Sequence, residues 1–282
     1  AKLKEKGAGF KLASSKTLVD NVGISDVAQG YDGNLYFADY GGGWSVNKNG
    51  SVQVIRPKDK ELKRAGKAVA QLMTDGFSHR SLPELSALLE HADQRIRQAA
   101  QFAMVEKGEV AVAKLNEILG DKEFSLLAKL HSIWGLGQLA RNGYSESVTP
   151  LILNMLENKE IEIRANAARV AGSSNLLKLG SSLLELLKDP SPRVASLAAL
   201  SLGRIGSKSD PLLVSTILRS VEQNKGADFD PVLRHSFISA LDRIASPEQL
   251  IALAGSKSEE QRLTAVILLR RTANAGLMTF LE

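Results

Sequence analysis

An internal repeat constrains this chain more than any other feature. Residues 82–271 read as a run of helix pairs, and the second helix of each pair carries the same pattern six times. With Arg97 as the anchor, matching positions fall at Lys129, Arg164, Ala195, Arg234 and Arg262, in steps of 32, 35, 31, 39 and 28 residues. Self-similarity at such a period marks a repeat architecture. One residue before the anchors stand Ile96, Ala128, Ile163, Val194, Leu233 and Gln261; seven after stand Met104, Leu136, Ala171, Leu202, Leu241 and Leu269. At about 100° per residue, offsets −1, +3, +4 and +7 share one face. A single helix pair cannot bury that face, whereas stacked pairs bury it in one continuous core. The predicted fold class is therefore mostly α: an α/α superhelix, or solenoid, of about six helix pairs over residues 57–282. A small β segment precedes it in residues 1–56.

The anchors sit inside the apolar face, yet five of the six are Arg or Lys. A cation there needs a partner or a path for its head to reach water. Arg97, Lys129, Arg164, Arg234 and Arg262 are thus expected to form a structural ladder, each bonding an acidic side chain or carbonyl in an adjoining turn or repeat. The alternative is a ligand-binding role. First helices are expected at 82–91, 110–119, 148–156, 176–187, 211–221 and 247–254, each ending in a short polar turn. Pro190, Pro192 and Pro231 lie in such turns or open the next helix, where proline is tolerated.

The segment SLGRIG at 201–206 is similar to the end of the second helix in short HEAT repeats, the armadillo-like type described in phycobilisome-lyase-like proteins. Residues 75–108 and 128–141 resemble the middle of multidomain bacterial haem proteins. In that family a sugar-dehydrogenase-like β-propeller precedes HEAT repeats and a cytochrome c domain follows. Residues 24–44 are similar to the closing propeller blade. The resemblance implies a middle piece between redox domains in an extracytoplasmic or periplasmic setting. The chain departs from the family in having no cysteine, so the C-x-x-C-H haem site is missing, and one blade is not a propeller. The start at Ala1 and the stop within GLMTFLE, which reads as the opening of a seventh first helix, suggest two cut ends.

The formal charge of +5 is confined to the N-terminal part: residues 1–67 hold 12 Lys or Arg and 7 Asp or Glu, and the remainder holds 24 of each. A duplex-binding groove needs cations clustered along the repeats, so no nucleic acid is expected as partner. No apolar run approaches the roughly 18 residues of a membrane span. The first residues, with Lys2, Lys4, Lys6, Lys11 and Lys16, read as a basic tail. Residues 34–40 and 51–55 read as strands, with turns at Asp32-Gly33 and at residues 47–50. Three or so such strands are too few to stand alone; they are expected to pack against the first helices or to pair with another chain. A helix follows over 58–75 and ends at Gly76, and Ser81 with Glu84 forms a capping box for the next.

Candidate chemistry is sparse. His79 lies near Asp75 and Ser78, but residues adjacent in sequence rarely form a triad. His91, His131 and His235 are lone histidines without a second ligand at helical spacing, and His131, at offset +2, is expected at the surface. The glycine runs 7–9 and 41–43, the latter beside Trp44, lack the context of a phosphate loop. Asp26, Asp32 and Asp39 do not have calcium-loop spacing. No catalytic, cofactor or metal site is expected.

The remaining candidate is the face of each second helix turned away from the core, at offsets −2, +2, +5 and +9, which HEAT arrays present as their concave surface. Phe102 and Trp134 share offset +5 in adjacent repeats. With His131, Gln138, Asn166, Arg169, Arg204 and Arg243 they make a candidate interaction face, because aromatic residues flanked by polar ones have the composition of an interface centre. The expected function is a non-catalytic protein-interaction or spacer scaffold, whose partner is another protein or the flanking domains of a longer chain. The alternative, carried by the resemblance alone, is a connector in a propeller and cytochrome c oxidoreductase. A lyase-like enzyme ranks last, for want of a nucleophile cluster.

Overall fold

The computed structural model describes residues 1–41, 49–224 and 229–280. The expectations placed on residues 42–44 and on residues 47–48 of the turn at 47–50 lie outside the described residues, as do residues 225–228 of the polar turn before residue 231 and the last two residues. The chain divides into two compact units. One comprises residues 1–2 and 13–106, the other residues 3–12 and 107–282. By compactness, residues 57–106 group with the small sheet.

In the first unit, β3 (Ile24–Gln29), β4 (Leu35–Asp39) and β5 (Ser51–Ile55) form an antiparallel sheet in the order β3-β4-β5. The turn before β4 is built by Asp32, whose carboxylate accepts from Asn34 N–H at 3.0 Å and from the Tyr36 hydroxyl at 2.9 Å. Gly33 takes φ +81°, the left-handed region that Asp-Gly turns require. This turn lies directly on α1 (Lys60–Asp75) at Gly66, where a Cβ would come within 2.4 Å of the Asp32 carbonyl. The sheet thus packs on helices, one of the two arrangements expected.

Helix α1 starts at the N-cap Asp59, whose side chain accepts from Glu61 N–H and Leu62 N–H, and ends at Gly76 with φ +79°. Helix α2 (Leu82–Leu88) opens on the expected capping box, with Ser81 N–H donating to Glu84 at 2.8 Å. Helix α3 (Gln94–Glu106) packs against it.

The second unit continues the alternation. Its first helices are α4 (Val110–Gly120), α6 (Ser145–Leu156), α8 (Gly180–Glu185, with single 3₁₀ turns at both ends), α10 (Pro211–Gln223) and α12 (Pro247–Ile251). Its second helices are α5 (Leu126–Leu139), α7 (Ile161–Ser173), α9 (Pro192–Ile205), α11 (Pro231–Ile244) and α13 (Glu259–Arg271). Sequence sets the starts. Asp210, Asp230 and Ser246 cap α10, α11 and α12 through their side chains, each followed by proline at the first helical position. Every residue at offsets +3 and +7 is buried in all six repeats, Phe237 being the largest. Burying one such leucine contributes roughly 1.5–3 kcal/mol.

Second helices pack directly on one another, α5 on α7, α7 on α9 and α9 on α11. The close approach is made possible by glycine. Gly137, Gly172 and Gly203 all stand at offset +8. A Cβ there would meet the offset +6 residue of the next repeat: Val170 at 2.8 Å, Ser201 at 2.5 Å and the Ala240 backbone at 2.8 Å. The Ser201 hydroxyl closes one seam by donating to the Ala168 carbonyl at 2.7 Å. In the fifth copy offset +8 is Asp242, and the seam is instead an ion pair with Arg271 of the sixth at 3.3 Å.

Residues 2–14 overturn the expectation of a basic tail. Lys2–Lys6 (β1) and Gly9–Ser14 (β2) form a two-stranded hairpin. The alternation K-L-K-E-K and G-F-K-L supports strands, and Gly7 with φ +56° supplies the turn.

Candidate interaction face

Three of the anchors reach backwards. Arg97 Nη1 donates to the His91 and Ala92 carbonyls at 2.7 and 2.9 Å, and Arg164 Nη1 to those of Asn158 and Lys159 at 2.7 and 3.0 Å. Arg262 Nη1 donates to the Ser256 carbonyl at 2.5 Å. In each case the target lies five or six residues upstream, at the end of the preceding inter-helix turn, where carbonyls are left over. Arg164 also forms a two-point pair with Asp189, Nε to Oδ2 at 2.8 Å and Nη2 to Oδ1 at 3.1 Å, in the turn before α9. Arg234 faces Glu260 of the next repeat at 3.1 Å and lies over the Phe229 ring. Lys129 is half-buried.

The predicted interaction face divides. Offset +2 is interior in four of the six copies: His131 is 3% and Asn166 4% exposed, and Ser236 and Thr264 are buried too, while Ala99 and Leu197 are half-buried. His131 is therefore not a surface residue. The reason is that each second helix touches its neighbours in the stack as well as its own first helix, so its buried arc is wider than a one-sided stripe. Trp134 is half-buried beside His131, edge to face with ring centroids 4.8 Å apart, and its indole N–H donates to Asn166 Oδ1 at 2.9 Å. Asn166 Nδ2 donates to the Glu162 carbonyl at 2.8 Å, and the Glu162 carboxylate takes Arg193 Nε at 2.6 Å. Polar groups of three consecutive repeats are thereby tied into one chain.

What stays exposed is the C-terminal half of the face. Arg169, Arg204 and Arg243 stand on α7, α9 and α11, and their guanidinium groups have no ion pair or hydrogen bond among the described residues. Gln138 on α5 is half-buried. Phe102 is 43% exposed on α3 of the first unit. There Arg95, at offset −2, is committed locally. It grips Asp93 with Nε at 3.0 Å and Nη2 at 2.6 Å, donates to the Gln29 and Gly30 carbonyls at 2.9 Å, and lies over the Tyr31 ring.

The other candidates are spent on structure. Asp75 accepts from Gln71, away from any triad with the exposed His79. His91 Nδ1 accepts from Asp93 N–H, and His235 meets Ser239 at 3.3 Å. Asp39 accepts from Gly23, Gly41 and Gln53, and Asp26 from Val27. Among the described residues no group of three or more His, Cys, Asp or Glu side chains is placed to hold a metal ion, and no helix is long and apolar enough to cross a membrane. Sequence reasoning missed the glycine seam, although glycine at offset +8 in three consecutive copies was there to be seen.

Stacked helix pairs, glycine seams and back-bonded arginines define a HEAT-like helical-repeat protein. Residues 149–224, from α6 through α10, match the family of HEAT repeats. Among solved structures the chain is similar to the Escherichia coli protein YibA, at 18% identity over 80% of each chain with a TM-score of 0.50. It is also similar to an engineered protein (18% identity, 71% of this chain and 98% of that one, TM-score 0.40). A third is the CpcE–CpcF complex of phycocyanin lyase from Nostoc (17% identity, 72% and 93%, TM-score 0.33). No curated protein sequence matches the chain. The similarity to YibA concerns the fold alone.

Proposed function

We propose that the repeats are a non-catalytic scaffold whose second-helix face binds another protein through an acidic, extended segment. The observation that carries this is the group Arg169, Arg204 and Arg243: the charges on the inner part of the face are paired within the array, and among the described residues these three are not. Helices in contact lie about 8–10 Å apart, and an extended chain advances about 3.3 Å per residue. A carboxylate at every third position therefore meets Arg204 and Arg243, both at offset +9 of consecutive repeats, while Arg169, at offset +5, extends the basic surface one helical turn earlier in α7. Arginine at a helix C-terminus also complements the helix dipole; that accounts for its position in α9 and α11 but leaves its outer donors free.

The test is a titration with a fluorescein-labelled peptide bearing Asp at every third residue, against wild type and the double variant Arg204→Glu, Arg243→Glu. Exposed pairs are worth up to about 1 kcal/mol each, so the double variant should bind on the order of tenfold more weakly or worse. Its melting should be unchanged, and wild-type binding should fall with added salt. Equal binding by the two proteins would overturn the reading.

A further inference from the structure

Within the second unit, the hairpin turn at Gly7 and Ala8 meets the N-terminus of α11. Ala8 N–H donates to Asp230 Oδ2 at 2.6 Å, and the bond is buried. Asp230 is held rigidly. Its Oδ1 caps α11 by accepting from Val232 and Leu233 N–H at 2.9 and 3.1 Å, and the Asn224 side chain bonds both its backbone N–H and its carbonyl. A Cβ on Gly7 would come within 1.9 Å of Asp230 Oδ2, so only glycine fits that position. Gly9 lies close to Val232, and the Phe10 ring lies on the Arg193 guanidinium, 5.3 Å from its centroid. Arg193 is fixed edge-on by Glu162, which leaves its flat face free for a ring. Arg193 and Val232 are the offset −2 positions of consecutive repeats. They belong to the same outward face that the sequence assigns to partner binding. A cleft of about 450 Å³, lined by Phe10, Phe229 and Val232 among others, stays open beside the hairpin.

We propose that this row is a docking socket for a glycine turn followed by an aromatic residue, and that residues 3–12 occupy it in cis as a built-in competitor. Three features define what the socket reads. The outer carboxylate oxygen of Asp230 takes a backbone N–H; the space beside it excludes any Cβ; the guanidinium face of Arg193 takes a ring. A partner segment with those properties displaces the hairpin to reach the repeats. This rests on the reading of the second-helix face as an interaction surface, and adds what that face recognises and what masks it.

The test uses the full chain and two variants. Asp230→Asn keeps an oxygen to cap α11 but can turn an amide N–H₂ towards Ala8, where the wild type offers an acceptor. Amide exchange over residues 3–12 should then accelerate on the order of tenfold, the worth of one hydrogen bond to a charged acceptor, with exchange in α9 unchanged. Gly7→Val disables the competitor and leaves the socket intact. A labelled peptide of residues 1–16 should bind this variant, and should bind neither the wild type nor Gly7→Val combined with Asp230→Asn, because a tethered competitor acts at high effective concentration. Unaltered exchange in Asp230→Asn, absence of peptide binding to Gly7→Val, or equal binding to wild type would each overturn the proposal. Neither measurement involves an acidic ligand, so its failure is separable from that of the arginine-row reading, which the Arg204 and Arg243 variants judge.

Discussion

At the scale of single residues, the chain uses arginine for two different tasks. Arg164 is 14% exposed and has four bonds to fixed partners, so its charge is satisfied inside the array. Removing it takes two bonds from the Asp189 carboxylate, whose side chain is 5% exposed and keeps the Ser191 N–H. Arg164→Ala should therefore lower unfolding free energy by roughly 1–3 kcal/mol in denaturant titration; an unchanged midpoint would count against a structural ladder. Arg95 does comparable work in the first unit. The Arg95 guanidinium holds the Asp93 carboxyl below its ordinary value of 3.8. A carboxylate with a lowered folded-state value lends stability above the unfolded value and loses it as pH falls through the folded one. The advantage of wild type over Asp93→Asn should be constant above about pH 5 and shrink below 3.8. A gap that widens on acidification would refute the assignment. Arg169, Arg204 and Arg243 differ in holding no partner among the described residues.

At the scale of elements, the helix-to-helix seam is set by what is missing from offset +8. Gly172→Ala would gain about 1 kcal/mol of helix propensity. It would also drive a methyl to within 2.6 Å of the Ser201 backbone. Overpacking of that kind costs typically 1–3 kcal/mol, and because α9 is wedged between α7 and α11 it has little room to give. Net destabilisation is expected from calorimetry. Gly120 is the control: it ends α4 with nothing within 4 Å of its absent Cβ. Gly120→Ala should be neutral or stabilising by up to about 1 kcal/mol. If both variants melt alike, close approach at the seam is not what selects glycine.

At the scale of the whole molecule, a repeat array is stable through its nearest-neighbour interfaces. The glycine seams run from α5 to α11 and give way to the exposed Arg271–Asp242 pair before α13. Amide exchange should accordingly be slowest in α7 and α9 and fastest over residues 247–280; uniform protection would show that the seams do not grade the array. Much of this was legible in the chain itself. The period, the helix pairs, the buried offsets +3 and +7, the caps at Ser81 and the Asp32-Gly33 turn all follow from local periodicity and turn chemistry, which act over a few residues. The partners of Arg164 and Glu162, the burial of His131 and Asn166, and the seating of Gly7 on Asp230 did not follow. They join residues 25 to 222 positions apart, and such pairings depend on how far each helix pair is rotated and shifted against the next. Sequence determined that the helices form and which stripe they bury. The stacking geometry alone decided how wide that stripe is, which charges are consumed within it, and which arginines are left facing out.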